Sequence, residues 1–359
     1  MKISRRFTLI RTLMAILIAM AMTLVIVFLV SDTPLEAIKY FLIGPLMKAS
    51  RLANVVETML PLLFTGLSVS LIARSGVFNL ASEGSFFIGG SMAALCACLL
   101  NIGGVMLPVV SLAVAGVAGM LCMLVPAVLK FRFNASEIVS SLMFNYVAFY
   151  LGSYLIRIFA RNPDSGSLQS LPFPENAILL RLIPGTRIHF GLVVGVALTA
   201  IVWMYLYKSR WGYKMRLSGS NSKFATYSGI EVGKSILIAQ ALAGLACGVG
   251  GGCEMLGMYS AFKWVTAPGP GFGWDGIIVA TLAGNNPALV PLGAFFLAYM
   301  RVGADIMTRM TDVQNEIVSI IQGVVIILIV AKRFLGKWER RAIFKEATAN
   351  AKHGEEATS

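Results

Sequence analysis

The segment Leu13–Val30 holds a single polar residue, Thr23. A helix on a soluble core keeps a polar outer face, so its apolar residues recur in a stripe rather than all round. A run apolar on every side needs hydrocarbon around it, and runs long enough to cross ~30 Å of bilayer recur along this chain. Only 13% of the 359 residues are charged and 57% are hydrophobic, with a mean hydropathy of +0.78. Soluble domains carry about a quarter charged residues. The chain is a polytopic, all-α integral membrane protein.

The net charge of +13 does not call for nucleic acid. Its basic residues cluster at Lys2, Arg5, Arg6 and Arg11, at Lys130 and Arg132, between Lys208 and Lys234, and from Lys332 to Lys352. Lys and Arg in short loops beside apolar spans mark the cytoplasmic side. Cys96, Cys98, Cys122, Cys247 and Cys253 lie in apolar or glycine-rich stretches, and the two histidines are His189 and His353. That spacing supports neither a disulfide framework nor a zinc site. No metal or cofactor is implied. The N-terminus, basic and then apolar without a small-x-small site near Ser31, is an uncleaved first span rather than a signal peptide.

The expected order starts with a span at Ile10–Val30. An outside segment, Ser31–Asn54, follows, with an amphipathic helix through Leu35, Ile38, Phe41 and Leu42. Spans are expected at Val55–Ala73, Val77–Leu100, Leu107–Leu129 and Ile138–Phe159. A proline-punctuated outside loop covers Arg161–Ile188, and Phe190–Tyr207 returns. After the cytoplasmic loop at 208–234, Ser235–Leu256 goes out. Two short pieces, Trp274–Gly284 and Ala288–Met300, are split by Asn285-Asn286-Pro287, and Ile317–Ala331 is the last span. The total is about ten helices with both termini inside: one membrane domain at 1–331 and a polar cytoplasmic tail at 332–359. Gly244, Gly248, Gly252 and the pair Ala115, Gly119 form small-xxx-small rows that let helices approach closely. Four glycines in Gly248–Gly252 suggest a bent or loosened helix.

Three segments break the apolar pattern at membrane depth. In "SGVFNLASEGSFFIGG" (Ser75–Gly90), Asn79 and Glu83 are four apart, as on one helix face. A carboxylate within a span faces a cavity, a partner or a solute path; pairing with Arg74 or capping a helix start accounts for Glu83 equally well. In "SEIVSSLMFNYVAFY" (Ser136–Tyr150), Asn145 sits near mid-span, where interhelical bonding and ligand contact both fit. In "APGPGFGWDGIIVATLAGNNP" (Ala267–Pro287), Trp274-Asp275 and Asn285-Asn286 flank a short helix. Gly/Pro-interrupted apolar segments in the two halves of a chain point to a transporter's pathway. A channel filter, a charged ring and a catalytic constellation are not seen in the sequence. The chain is not expected to be an enzyme.

Gly229…Gly233-Lys234-Ser235 superficially suggests a phosphate-binding loop. Only Ile230, Glu231 and Val232 intervene where four residues are required, and Glu231 would repel phosphate. Within the same loop, Ser220 or Asn221 caps a two-turn helix, Lys223–Ser228, that Gly229 ends in a left-handed conformation. So short a helix is unstable alone. It must dock, with Ala225, Tyr227 and Gly229 beside Lys223 as a knob for another protein's groove.

"GVFNLASEG" (76–84), "NASEIVSSLMFNYVA" (134–148), "RLSGSNSKFATYSGI" (216–230) and "GFGWDGIIVATLAGNNP" (271–287) together make the sequence resemble the permease subunits of bacterial ABC importers. The family includes ribose and branched-chain amino acid permeases, and the match is nearest its nucleoside and "simple sugar" branch, over roughly Val55–Ala331. It departs at Ala81-Ser82 and at Ser85, where small pairs and glutamine are common. The resemblance implies an ABC permease fold with broken helices in the inner (plasma) membrane. It also implies a separate ABC ATPase subunit, a second permease subunit, the same or paralogous, and an extracytoplasmic solute-binding protein. Arg216, Ser220, Asn221, Lys223, Ala225, Tyr227 and Gly229 would couple to the ATPase. Phe78, Asn79, Glu83, Asn145, Trp274 and Asp275 would lie on or near the solute path. Lys263 and Trp264 would face the binding protein. A nucleoside is the expected solute, with a sugar or riboflavin as the alternative. An ion-coupled secondary transporter using Glu83 or Asp275 is the alternative mechanism, and a non-transporting membrane scaffold is a third reading.

Overall fold

The computed structural model describes residues 33–264 and 269–313, with Val25, Phe28 and Gly323 as isolated positions. The spans expected at Ile10–Val30 and Ile317–Ala331 and the tail at 332–359 lie outside these described residues. The described chain is helical, with two isolated β-bridges in the long loop. In order, the helices are α1 (Pro34–Leu42), α2 (Ala49–Arg74), α3 (Ser82–Leu99), α4 (Met106–Phe133), α5 (Glu137–Phe159), α6 (Gly191–Lys208), α7 (Arg210–Ser220), α8 (Ser222–Tyr227), α9 (Val232–Met258), α10 (Phe272–Leu282) and α11 (Val290–Met310). Among the described residues, seven of them are long and apolar enough to cross a membrane: α2 to α6, α9, and α11 with the 3-10 turn at Pro287 that leads into it.

The chain falls into two compact units. Of the described residues, the smaller holds 33–44 with 303–313, and the larger is Pro45–Val302. In the smaller, α1 forms where an amphipathic helix is expected, but of the expected face only Phe41 is buried; Ala37 is buried beside it and Leu35 is 77% exposed. Thr33 Oγ1 donates to Asp312 Oδ1 at 3.4 Å.

In the larger unit α9 is central, packed against α4, α3 and α2. Its glycines explain how one helix meets three neighbours. A methyl at Gly248 would meet the Ala115 carbonyl and stand 3.0 Å from Gly119 Cα, both on α4. A methyl at Gly251 would collide with the Phe86 carbonyl on α3, and one at Gly250 with the Phe64 side chain on α2. The helix is unbroken through all four. The loosening expected at Gly248–Gly252 is therefore corrected. The glycines permit backbone-to-backbone approach, and tight neighbours keep the helix continuous where isolated glycines would loosen it.

The long loop between α5 and α6 is ordered by strand-like bonds to the end of α9 and the chain beyond. Leu179 N donates to Leu256 O at 3.0 Å, Phe173 N to Ser260 O at 2.8 Å, and Phe262 N to Ser170 Oγ at 2.9 Å. These bonds satisfy backbone groups that burial of Phe173, Ala177 and Leu179 would otherwise strand. Trp264 is buried here and stacks on Phe86 with centroids 5.6 Å apart. It does not face outward, because its ring fills the gap opened by Gly90. Lys263 is exposed.

Candidate functional site

α2 stops at Arg74, where Gly76 takes φ +78°, a backbone that side chains other than glycine rarely tolerate. Seven irregular residues follow before α3 begins at Ser82, five residues later than the apolar pattern suggests. Asn79 therefore shares no helix face with Glu83; it precedes the helix. Its Oδ1 accepts from Ala81 N at 2.8 Å, while Nδ2 donates to Gln240 Oε1 at 3.0 Å and Met123 O at 3.3 Å. Asn145, from α5, works on the same segment. It accepts from Gly84 N at 2.9 Å and donates to Leu80 O at 3.0 Å. Ser141 Oγ accepts from Leu80 N at 3.1 Å. Buried irregular backbone persists only where protein satisfies it; the Asn145 amide and the Ser141 hydroxyl of α5 do so here, and Gln240 of α9 holds the Asn79 side chain.

Glu83 reaches across to α10. Its Oε1 accepts from Gly271 N at 2.7 Å and its Oε2 from Gly273 N at 2.6 Å. Both amides belong to the start of α10, where the helix dipole favours an anion. Gly271 holds φ +87° to begin that helix. Glu83 thus caps a helix, though a distant one, and does not pair with Arg74. Arg74 instead donates from Nε to Asn285 O at 2.7 Å and from Nη2 to Gly284 O at 3.4 Å, just past the other end of α10. Asp275 is bound to Arg301 of α11 at 2.6 Å. Four of the six expected path residues, Asn79, Glu83, Asn145 and Asp275, are accordingly buried with protein partners. Phe78 and Trp274 are open, at 55% and 40% exposure.

The segment expected to couple to an ATPase is more helical than its sequence suggests. Arg210–Ser220 forms α7, with Ser209 Oγ accepting from Gly212 N at 3.0 Å. Asn221 then caps α8 through Phe224 N at 3.0 Å. Gly229 closes α8 at φ +75°, and Ile230 N returns to Ala225 O at 3.0 Å. Of the knob residues, Ala225 is fully buried, so it seats the helix and does not point outward. The outward face is Tyr227, 92% exposed, with Phe224 one turn before it. Phe224 was not singled out from sequence, although the i, i+3 spacing of two aromatics was its signal. Arg216 lies over the Tyr207 ring at 4.9 Å, while Ser220 and Lys223 are exposed.

Sequence reasoning also passed over a row on α5. Tyr146, Tyr150, Tyr154 and Arg157 occupy its open face and line a groove of about 650 Å³ with Val147, Leu151 and Ser153. The open faces of α4 (Val109, Val117, Leu121, Val125) and α6 (Val193, Val196, Ile201, Met204) are mainly aliphatic, with Trp203 also open on α6. Polar aromatics four apart in an apolar span were the available signal. Two buried carboxylates were missed as well: Glu57, which accepts from Arg187 N at 2.7 Å, and Glu254, whose Oε2 has no hydrogen bond.

A protein of long apolar helices, with a buried polar segment between two of them and a helical arm packed beside them, has an arrangement that suits a transport permease. The comparison with known families agrees. Residues 51–330 match the family described as branched-chain amino acid transport system / permease component, and the chain belongs to it. The chain is 28% identical to the guanosine ABC transporter permease protein NupP of Bacillus subtilis, over 80% of this chain and 84% of that one. It is 29% identical to the glucose ABC transporter permease protein TsgB13 of Haloferax volcanii, over 95% and 93%. Identity to the nucleoside ABC transporter permease protein NupB of Lactococcus lactis subsp. cremoris is 24%, over 96% and 97%. No solved structure matches it.

Proposed function

We propose that the chain is the membrane-spanning subunit of an ATP-driven importer for a nucleoside. About ten helices, with both termini in the cytoplasm of a bacterial inner membrane, would form residues 1–331, and 332–359 a cytoplasmic tail. A separate ATPase would dock on α7–α8, with Phe224 and Tyr227 seated in its groove and Arg216, Ser220, Asn221, Lys223, Ala225 and Gly229 shaping the arm. A second permease subunit would complete the path, and an extracytoplasmic binding protein would deliver the solute.

The observation that carries the solute class is the near full-length similarity to NupP and NupB, which are named for guanosine and nucleoside transport. The open aromatics fit it. Phe78, Trp274 and the α5 tyrosines offer ring faces for a base and hydroxyls for a sugar edge. Asn79, Glu83, Asn145 and Asp275 already have protein partners, so in this reading they hold the path's shape. Glu83 and Asp275 each being engaged also argues for ATP over ion coupling. A sugar is the second reading, favoured by the TsgB13 similarity.

The test is reconstitution of the permease with its ATPase and binding protein in liposomes, followed by ATP-dependent uptake of labelled guanosine and glucose. Guanosine uptake that unlabelled glucose fails to inhibit is expected. Glucose uptake alone would give the chain to the second reading, and uptake driven by an ion gradient without ATP would refute the ATP-driven mechanism.

A further inference from the structure

Arg74 and Glu83 stand at the two flanks of the irregular segment, and they hold opposite ends of the same helix. Glu83 places a carboxylate on the N–H groups that open α10. Arg74 places a guanidinium on the carbonyls just beyond its last turn. Each charge has the sign that its end of the helix dipole favours. These are charge-assisted bonds, the stronger class, between parts of the chain about two hundred positions apart. α10 is also pressed against the neighbouring helices. A methyl at Gly276 would stand 2.6 Å from Thr65 Cβ on α2, and one at Gly273 would strike the Glu83 backbone.

The arm that carries α8 meets this same segment. A methyl on Gly219 of α7 would collide with Arg74 O and stand 2.8 Å from Gly76 N; one on Gly76 would stand 2.6 Å from Gly219 Cα. Main chain touches main chain, with no side chain between them to absorb a shift. Close-packed interiors of this kind transmit strain. Only Asn221 separates α7 from α8.

We propose that residues 74–83 and α10 move as one body, with Arg74 and Glu83 as positioning residues that transmit motion of the α7–α8 arm to α10. The inference rests on the functional reading above, and it adds the route by which ATP-driven motion reaches the path residue Trp274. Neither side chain need touch the solute. Their part is to keep α10 attached to the segment that Gly219 pushes.

The experiment uses the reconstituted complex with guanosine and glucose as probes, and reads solute moved per ATP hydrolysed. Arg74→Ala should lower that ratio by about tenfold, within the range of measured coupling energies, while hydrolysis by the partner persists. Arg74→Lys, which keeps charge but not the fork, should fall between. An unchanged ratio in Arg74→Ala overturns the proposal. Should that variant fail to assemble, spin labels at Phe78 and Trp274, which leave the clamp intact, supply the second reading. Their separation should stay constant between the nucleotide-free and vanadate-trapped complexes, while each moves relative to a label at Met204 on α6. A changing Phe78–Trp274 separation overturns the proposal. A wild-type complex that moves neither probe with ATP instead overturns the functional reading, and this inference falls with it.

Discussion

At Gly248 the side chain can be no larger than a hydrogen atom, because the Ala115 carbonyl and the Gly119 main chain occupy the space a methyl would need. Backbone cannot swing aside as a side chain does, so Gly248→Val must separate α9 from α4. A loss of about 1–3 kcal/mol is expected from overpacking alone, visible as a lower melting temperature in detergent, whereas Gly166→Ala, in open space and without a left-handed backbone, should leave melting close to wild type. His189 poses a different residue-scale test. Its Nδ1 accepts from Gly191 N at 3.1 Å, at the first turn of α6, and burial lowers its pKa from 6.5 to about 4. The folded state therefore resists protonation that the unfolded chain accepts. Stability is complete above pH 6.5 and falls as pH drops towards 4, by roughly 3 kcal/mol in all. Melting followed from pH 7.5 to 4.5 should show this decline, and His189→Asn should flatten it. A decline of equal depth in the variant would assign it to other groups.

α8 illustrates what an element owes to its cap. Six residues cannot hold a helix in water; this one has Asn221 at its start, Gly229 at its end and Ala225 seated beneath. Asn221→Ala removes the bond to Phe224 N and should cost about 1 kcal/mol of local order. In titrations of purified permease with the ATPase, half-saturation should rise several-fold, while thermal unfolding of the spans is unmoved. Equal affinity would remove α8 from the interface. The cap and the glycine stop were legible in sequence because both act within a few residues. The long spans were legible because a bilayer demands apolar length. α7 was not, since Gly212 and Gly219 lower its propensity and its basic surface matches a solvated loop. Those glycines fit the close approach of Leu206 and Arg74, which is a tertiary fact. The start of α3 was missed for a similar reason. The mostly apolar stretch Val77–Leu80 looks like helix until the bonds from Ser141, Asn145 and Gln240 hold it in an irregular form. Glu83 was flagged as polar in an apolar run, but its partners lie about 190 residues away, beyond any local pattern.

For the whole molecule, the open faces of the larger unit differ in the solvent they suit. α4 and α6 present mainly valine, leucine, isoleucine and methionine, the side chains that lipid accepts without cost, with Trp203 towards the end of α6, where an indole suits the interface. α5 presents Tyr146 and Tyr150 near its middle, then Tyr154 and Arg157 towards its far end. Tyrosine and arginine near a span's end suit the membrane interface, but two phenols at mid-span do not, since a hydroxyl in hydrocarbon lacks a partner. The face of α5 should therefore meet water or another polar surface, as a solute path between two permease subunits provides. Cysteine scanning of the reconstituted complex distinguishes the faces. Tyr150→Cys should react with a charged, membrane-impermeant thiol reagent, and guanosine in excess should slow the reaction. Leu121→Cys on α4 and Met204→Cys on α6 should react only with a lipid-soluble maleimide. Labelling of all three by the charged reagent would mean that the faces do not differ. Protection of Tyr150→Cys from both reagents, with cross-linking of its two copies by oxidant, would place α5 in a dry contact between subunits and move the path elsewhere.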